Sequence, residues 1–226
     1  MARHLAKRDT LPLGVRIINS LLLVLVVLLM GLPMLNVLAV SLSTQAKSDT
    51  PGLVLWPSPP TVQGYTFIWN HVRFGGPFFN TVYVSLVGTV LHVLMASLAG
   101  YVLGEQRLPY RKALTTFVLL TMTIPYELTM IGIYAVNRDL RLTNTYAGLI
   151  INGMISGFSV LLMRNYFMAI PLSLAESARI DGASEIRIFR SIYLRLSVSG
   201  LMTIGTLELI RRWNNITMTV TLISDM

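Results

Sequence analysis

Cysteine is absent from the 226 residues. That excludes a disulfide framework, a thiol nucleophile and any cysteine-based metal site. Charge is also scarce. Asp, Glu, Lys and Arg make up 12% of the chain, against roughly 25% in a soluble domain. Acidic residues are the rarer sign, 10 against 18 Lys and Arg, for a net charge of +8. No isolated basic tail or aromatic–basic alternation accompanies that excess, which argues against nucleic acid. There is no G-x-x-x-x-G-K-[ST] loop, so the chain cannot bind ATP by that means. No paired-carboxylate, Ser–His–Asp or zinc-site pattern is present, and no second histidine lies near His92 in sequence. The chain does not read as an enzyme, and no metal site is expected.

Apolar residues are abundant, 54% of the total. They leave uncharged runs at 17–46, 74–104 and 142–163. A helix needs about 20 apolar residues to cross a bilayer core, so the sequence predicts an all-α, polytopic membrane helix bundle. Basic residues before an apolar run also suit a signal peptide. The run IINSLLLVLVVLLMGLPMLNVLAV exceeds the 7–15 residues or so of a signal core, so 17–40 reads as an uncleaved first span, bent at Pro33. A second span is expected at 79–103, where Gly88, Ala96, Ser97 and Gly100 permit close helix packing. A third is expected at 113–136, interrupted at TIPYEL, and a fourth at 145–163. A fifth apolar region, 196–223, is cut by Glu208, Arg211 and Arg212.

Lys and Arg are unevenly divided among the loops. Residues 1–16, 104–112 and 164–195 hold twelve, while Lys47, Arg73, Arg138 and Arg141 are the four on the other side. Positive residues accumulate at cytoplasmic span ends. Residues 1–16 are therefore expected to be a cytoplasmic N-terminal segment, 17–226 a transmembrane domain, and 171–196 an intracellular loop.

That loop, PLSLAESARIDGASEIRIFRSIYLRL, is charged within an apolar chain. Ser173 and Glu176 have capping-box spacing, predicting a helix that starts at Ser173. Asp181–Gly182 predicts a tight turn, with a second helix from near Ser184. Ile186, Phe189 and Tyr193 recur at i, i+3 and i+7, one helix face. Short helices are marginal alone in water. The pair must pack either on the protein's own cytoplasmic helix ends or on a cytoplasmic partner.

Ionisable residues inside spans are costly and often functional. Glu127, after Pro125, reads as lining a water-filled path, meeting a partner subunit, or lying near the surface. Glu208 shares a helix face with Arg211 and Arg212. With Trp213 and Asn214 they read in two ways. One is a polar path in which Trp213 stacks on a sugar ring and the excess arginine suits a phosphorylated polyol. The other is an interface, with the Trp in an aromatic belt and the Arg snorkelling. His92 reads as a satisfied interior histidine.

The strings themselves carry a resemblance. ESARIDGAS at 176–184 followed by IFRSIYL at 188–194 resembles the E-A-A-x-x-D-G-A … I-x-L-P coupling-loop signature of permease subunits of binding-protein-dependent ABC importers. NTVYVSLVGTV (80–90), ASLAGYVLGEQRLPYRK (96–112), LTNTYAGLI (142–150), MRNYFMAIPLSLAESARIDGA (163–183) and RRWNN (211–215) resemble further family elements in order. The likeness covers about residues 15–225 and looks closest to the carbohydrate-uptake type, specifically the second permease subunit of maltose-type transporters. Departures from the pattern are Ser177 for Ala, Arg195 and Ser199 for Pro, Arg141 for Gly and Gly132 for Pro.

The resemblance implies an importer subunit in the bacterial cell inner membrane, forming half of the path for a sugar or related polyol. It implies three partners: a homologous second permease subunit, a cytoplasmic ATPase dimer that binds ATP and Mg2+, and an extracytoplasmic solute-binding protein. Such subunits usually have six spans, so five of six are expected here, the last not being found after LISD. Carried over by position, Glu176, Ala178, Asp181, Gly182 and Ala183 form the ATPase-coupling motif, with Phe189 as an apolar plug. The candidate path residues are Glu127, Glu208, Arg211, Arg212, Trp213 and Asn214. The alternatives are a truncated or assembly-only homologue, or a secondary transporter.

Overall fold

The computed structural model describes residues 12–72 and 74–223. Arg3, Lys7, Arg8 and Arg73, which entered the orientation count, lie outside the described residues, as do residues 224–226. The described secondary structure is entirely helical.

The chain divides into two compact units, 1–76 and 77–226. The first contains α1 (Leu13–Ser41), α2 (Gln45–Ser48) and α3 (Gln63–His71). α1 is long and apolar enough to cross a membrane. It begins at Leu13, directly after Pro12, and runs through Pro33 as one helix. Pro33 removes one backbone donor, a loss that the remaining turns of the helix absorb. Only Ala39 of α1 is buried; such an all-round apolar helix needs a lipid or protein solvent. Asn36 Oδ1 accepts the Val54 amide at 2.7 Å, and the Tyr65 hydroxyl bonds Ser41 Oγ at 2.9 Å. These bonds fold the following loop and α3 back onto the end of α1.

The second unit begins within α4 (Gly75–Gly104), the other single helix of membrane-crossing length and composition. Ser85, Gly88, His92, Ala96 and Gly100 form its buried face, at the spacing that small-residue packing requires. α5 (Arg111–Thr123) and α6 (Tyr126–Asp139) are a pair that is long and apolar enough to cross a membrane only if taken together, and they meet at a bend of 99°. The bend falls at Ile124–Pro125, inside the TIPYEL interruption.

The stretch expected to be a continuous fourth span is broken. α7 (Tyr146–Ile151) ends at Asn152, Gly153 adopts φ +77°, and α8 (Gly157–Met168) starts after Ser156. Ser156 Oγ accepts the Ser159 amide at 3.2 Å. A left-handed Gly and a Ser cap end one helix and start another, and the apolar composition around them conceals both signals. α8 leads into α9 (Leu172–Ile180) across a 73° bend. α10 (Glu185–Ile188), a π-helical turn (Phe189–Tyr193) and α11 (Leu194–Leu196) follow.

The fifth region forms α12 (Val198–Trp213) and α13 (Ile216–Leu222). Its break falls at Asn214–Asn215, beyond the charges expected to cut it, because Asn215 Oδ1 caps α13 by accepting the Met218 amide at 3.1 Å. Among the described residues, two helices have membrane-crossing length and composition, or up to four if each bent pair is one span. Neither α12 nor α13 is of that class.

One core joins α4, α8, α9, the π-helical turn and α12, through Ala96, Met163, Phe167, Ala175, Phe189 and Ile204. Arg141 stands outside it, exposed, with φ +57°. A left-handed L-residue costs about 1 kcal/mol or more. Arg141→Gly is therefore expected to raise the thermal midpoint, by less than the full strain because Gly also loosens the unfolded chain. A lower midpoint would show that the arginine side chain contributes more than its backbone strain costs.

Candidate functional site

Residues 172–188 fold as helix, tight turn, helix. The capping box expected at Ser173 and Glu176 is not formed: α9 begins at Leu172, directly after Pro171, without a side-chain cap. Pro171 has φ −57°, preset by its ring for helix entry, so the helix starts before Ser173. Ser177 Oγ instead donates to the Ser173 carbonyl at 2.6 Å. The turn is a Schellman motif. The Ala183 amide donates to the Ala178 carbonyl at 2.9 Å, and the Gly182 amide to the Arg179 carbonyl at 3.0 Å. Gly182 holds φ +79°, the left-handed position such a helix end requires. Ser184 Oγ then accepts the Arg187 amide at 3.4 Å and caps α10.

Glu176, Asp181 and Gly182 are exposed, while Ala178 and Ala183 are half-buried. The expected apolar face shifts by residue: Ile186 is 71% exposed, while Ile188 is 1% and Phe189 8% exposed. The π-helical turn from Phe189 to Tyr193 accommodates one extra residue, so 188, 189 and 193 face inward together. The Phe189 ring lies 5.1 Å from Tyr101 and 6.2 Å from Phe167, inside the chain's own core.

A charged network ties this loop to the end of α4. Arg179 Nε and Nη2 donate to Glu185 Oε1 and Oε2 at 2.6 and 3.2 Å, a two-point pairing across the turn. Glu185 Oε2 also accepts the Tyr101 hydroxyl at 2.7 Å. Arg179 Nη2 lies 3.6 Å from Glu105 Oε2. The Arg179 and Tyr101 hydrogen bonds hold the Glu185 carboxyl below the usual carboxylate range. Nearby, Arg111 Nε and Arg164 Nε both donate to the Leu103 carbonyl, at 3.1 and 3.2 Å. Cations are favoured at such helix C-termini, where carbonyls lack intrahelical partners.

A second constellation lies farther along α4. Glu208 of α12, 4% exposed, accepts Arg212 Nε at 2.6 Å, and Arg211 Nε and Nη2 at 2.8 and 2.6 Å. Arg212 Nη1 and Nη2 donate to the Leu149 and Ile150 carbonyls at 3.2 and 3.3 Å, at the end of α7. His92 Nδ1 donates to the Gly153 carbonyl at 2.9 Å and lies 3.6 Å from Glu208 Oε1. His92 Nε2 pairs with Ser159 Oγ at 2.8 Å. The broken backbone at 149–153 therefore obtains its hydrogen bonds from α4 and α12 side chains, as buried carbonyls require. Gly88 leaves room for this: a Cβ there would overlap the Arg212 guanidinium.

The cluster is a hydrogen-bond donor with one net positive charge. Arg212 is buried and engaged, while Arg211 is about half exposed. Among the described residues, no three His, Cys, Asp or Glu side chains are placed to hold a metal. Of the candidate path residues, Glu208, Arg211 and Arg212 come together. Glu127 stands apart, exposed in the first turn of α6. Trp213 packs edge-on against Phe78, centroids 6.0 Å apart. Asn214 Nδ2 turns back to the Ile210 carbonyl at 2.8 Å. Sequence reasoning missed Tyr101, Arg179, Glu185 and the Gly88–Arg212 contact. Only the position of Gly88 one turn before His92, on a small-residue face, signalled any of them.

Residues 96–226 match the family described as binding-protein-dependent transport system inner membrane component. A probable ABC transporter permease protein of Pyrococcus horikoshii is 31% identical over 188 residues, 81% of this chain and 68% of that protein. The arabinooligosaccharides transport system permease protein AraQ of Halalkalibacterium halodurans is 31% identical over 186 residues, 81% of this chain and 67% of that one. The sn-glycerol-3-phosphate transport system permease protein UgpE of Yersinia enterocolitica is 30% identical over 219 residues, 94% and 78% of the two chains. Among solved structures, a bacterial ABC transporter involved in the import of the acidic polysaccharide alginate superposes with a TM-score of 0.85. It is 28% identical and covers 92% of this chain and 74% of that one. The fold is that of a transport permease, not of a catalytic domain. Sequence and fold agree that the chain belongs to the inner membrane components, or permeases, of binding-protein-dependent ABC transport systems.

Proposed function

We propose that this chain is a transmembrane subunit of an ATP-driven importer of a carbohydrate or related polyol, of the kind represented by the second permease of maltose-type transporters. It spans the bacterial inner membrane with its N-terminus cytoplasmic. Its spans are α1, α4, α5–α6, α7–α8 and α12–α13. It lines half of the translocation path beside a homologous permease subunit. A cytoplasmic ATPase dimer, which binds ATP and Mg2+, docks on 171–196, and an extracytoplasmic solute-binding protein delivers the substrate.

The observation that carries this reading is the exposed Schellman turn at 178–183, within the family-matching region. Glu176, Asp181 and Gly182 lie on its outer surface, and Ala178 and Ala183 keep it slim. Phe189 anchors it from inside rather than plugging a partner. A surface element held in one conformation loses little entropy on docking. For the path, Arg211, Trp213 and Asn214 supply a guanidinium, an indole and an amide, chemistry that suits a hydroxylated or anionic sugar. Glu208, itself anchored by Arg212, holds Arg211 in place, and Glu127 lines the path separately. The names of the relatives, which include an oligosaccharide, a glycerol phosphate and an acidic polysaccharide system, support that substrate class.

The test is purification of the tagged chain from its native membrane in mild detergent, with mass spectrometry of what accompanies it. A second permease and an ATPase are expected. Recovery of the chain alone would overturn the reading.

A further inference from the structure

We propose that Tyr101, through its hydrogen bond to Glu185, makes α4 the rod that carries movement of the 172–188 loop to the buried Glu208–Arg212 cluster, with Arg179 and Glu105 as its positioning partners. This rests on the reading of that loop as the ATPase-docking element.

The loop alone would hinge at Gly182. The two-point Arg179–Glu185 pairing, 2.6 and 3.2 Å, locks its two helices together. The same carboxylate holds the Tyr101 hydroxyl at 2.7 Å, so the locked pair is fastened to α4. Tyr101 cannot swing away, because its ring is wedged against Phe167, Phe189 and Tyr193 at 6.3, 5.1 and 4.9 Å. Arg179 reaches Glu105, just past the end of α4, at 3.6 Å.

From Tyr101, α4 continues back without interruption past His92 and Gly88, a distance of about 20 Å. Both of those residues meet the polar cluster: His92 Nδ1 lies 3.6 Å from Glu208 Oε1, and Gly88 faces the Arg212 guanidinium so closely that a Cβ there would overlap it. The alternative route follows the chain itself. It passes a π-helical turn, a three-residue helix and a break at Ser197, φ −109° and ψ 24°, before α12 begins. Such irregular segments absorb displacement, whereas an unbroken helix transmits it. Load on the loop therefore reaches Glu208 and Arg212 through α4.

The test uses the complete transporter in nanodiscs. Since this chain has no cysteine, cysteines introduced at Ser173 on α9 and Leu98 on α4 can carry spin labels in a complex whose partners are made cysteine-free. With Tyr101 present, the label distance should be the same with and without ATP. In Tyr101→Phe, which keeps the ring and removes only the hydroxyl, the distance should change between the two states. Import per ATP hydrolysed should fall about tenfold, the scale of one hydrogen bond to a charged group, while ATP hydrolysis persists. Arg179→Lys, which keeps the charge and loses the fork, should shift both readouts in the same direction.

A wild-type distance that changes with ATP, in a complex that retains its ATPase, would overturn the rod and leave the docking reading intact. Unchanged import per ATP in Tyr101→Phe would do the same. A wild-type chain that retains no ATPase would overturn both.

Discussion

Glu208→Ala is expected to be the most damaging single substitution in the second unit, costing about 3–5 kcal/mol. Glu208 balances two guanidinia, and Arg212 is as deeply buried as the carboxylate itself. Removing the carboxylate leaves Arg212 charged beside the Leu149 and Ile150 carbonyls, without a counter-ion and without access to water. Arg211 is half exposed and can turn outward, so most of the cost falls on Arg212. Glu208→Gln, which keeps the shape and an acceptor, should cost less. The double variant Glu208→Leu/Arg212→Met removes both charges and should recover much of the loss, since buried ion pairs are often replaceable by apolar residues. Recovery should be incomplete, because two carbonyls lose their donors. Thermal unfolding in detergent ranks these variants, and adding Glu208→Leu and Arg212→Met alone to the wild type and the double variant closes the cycle and isolates the coupling between the two sites. A Glu208→Ala protein that melts like the wild type would refute this account of the cluster.

Gly100→Ala is expected to be a second costly change, at about 1–3 kcal/mol. An added Cβ would lie 2.9 Å from the Arg164 nitrogen, 2.9 Å from Met163 Cβ and 3.0 Å from the Val160 carbonyl oxygen. Two of those atoms are backbone, so α8 as a whole must move away from α4. Arg164, which caps α4 at Leu103, would be displaced with it. Gly205 is the control. A Cβ there meets only Val93 Cγ2 at 3.6 Å, an ordinary contact, while Ala improves helix propensity by about 1 kcal/mol over Gly. Gly205→Ala should therefore raise the melting temperature and Gly100→Ala lower it. Shifts of equal sign and size would show that the α4–α8 approach is looser than these distances imply.

By itself, the sequence determined what is local. The apolar runs at 17–46 and 74–104 correspond to α1 and α4, because composition over some 20 residues or more decides whether a helix suits lipid. The TIPYEL interruption, the turn at Gly182 and the second helix from Ser184 were legible because a proline, a left-handed glycine and a capping serine each act within a few residues. Glu208 with Arg211 and Arg212 was legible because i+3 and i+4 neighbours share a helix face. The misread local features had local rivals: Pro171 started α9 before Ser173 could cap it, and the π-helical turn moved Ile186 out and Ile188 in.

Only the tertiary structure decided which faces meet. Tyr101 and Glu185 are 84 residues apart, His92 and Ser159 are 67, and Arg212 and Leu149 are 63. Periodicity identifies a helix face, but not the carboxylate or carbonyl that will come to lie against it. Those pairings follow from how α4, α7, α8 and α12 pack, where small residues at Gly88 and Gly100 let backbones approach and unpaired carbonyls at 149–153 draw in the available donors. The physical reason is one of range. Caps and turns are settled by bonds within a few residues, whereas a buried charge is settled by whatever the whole packed unit brings within hydrogen-bonding distance.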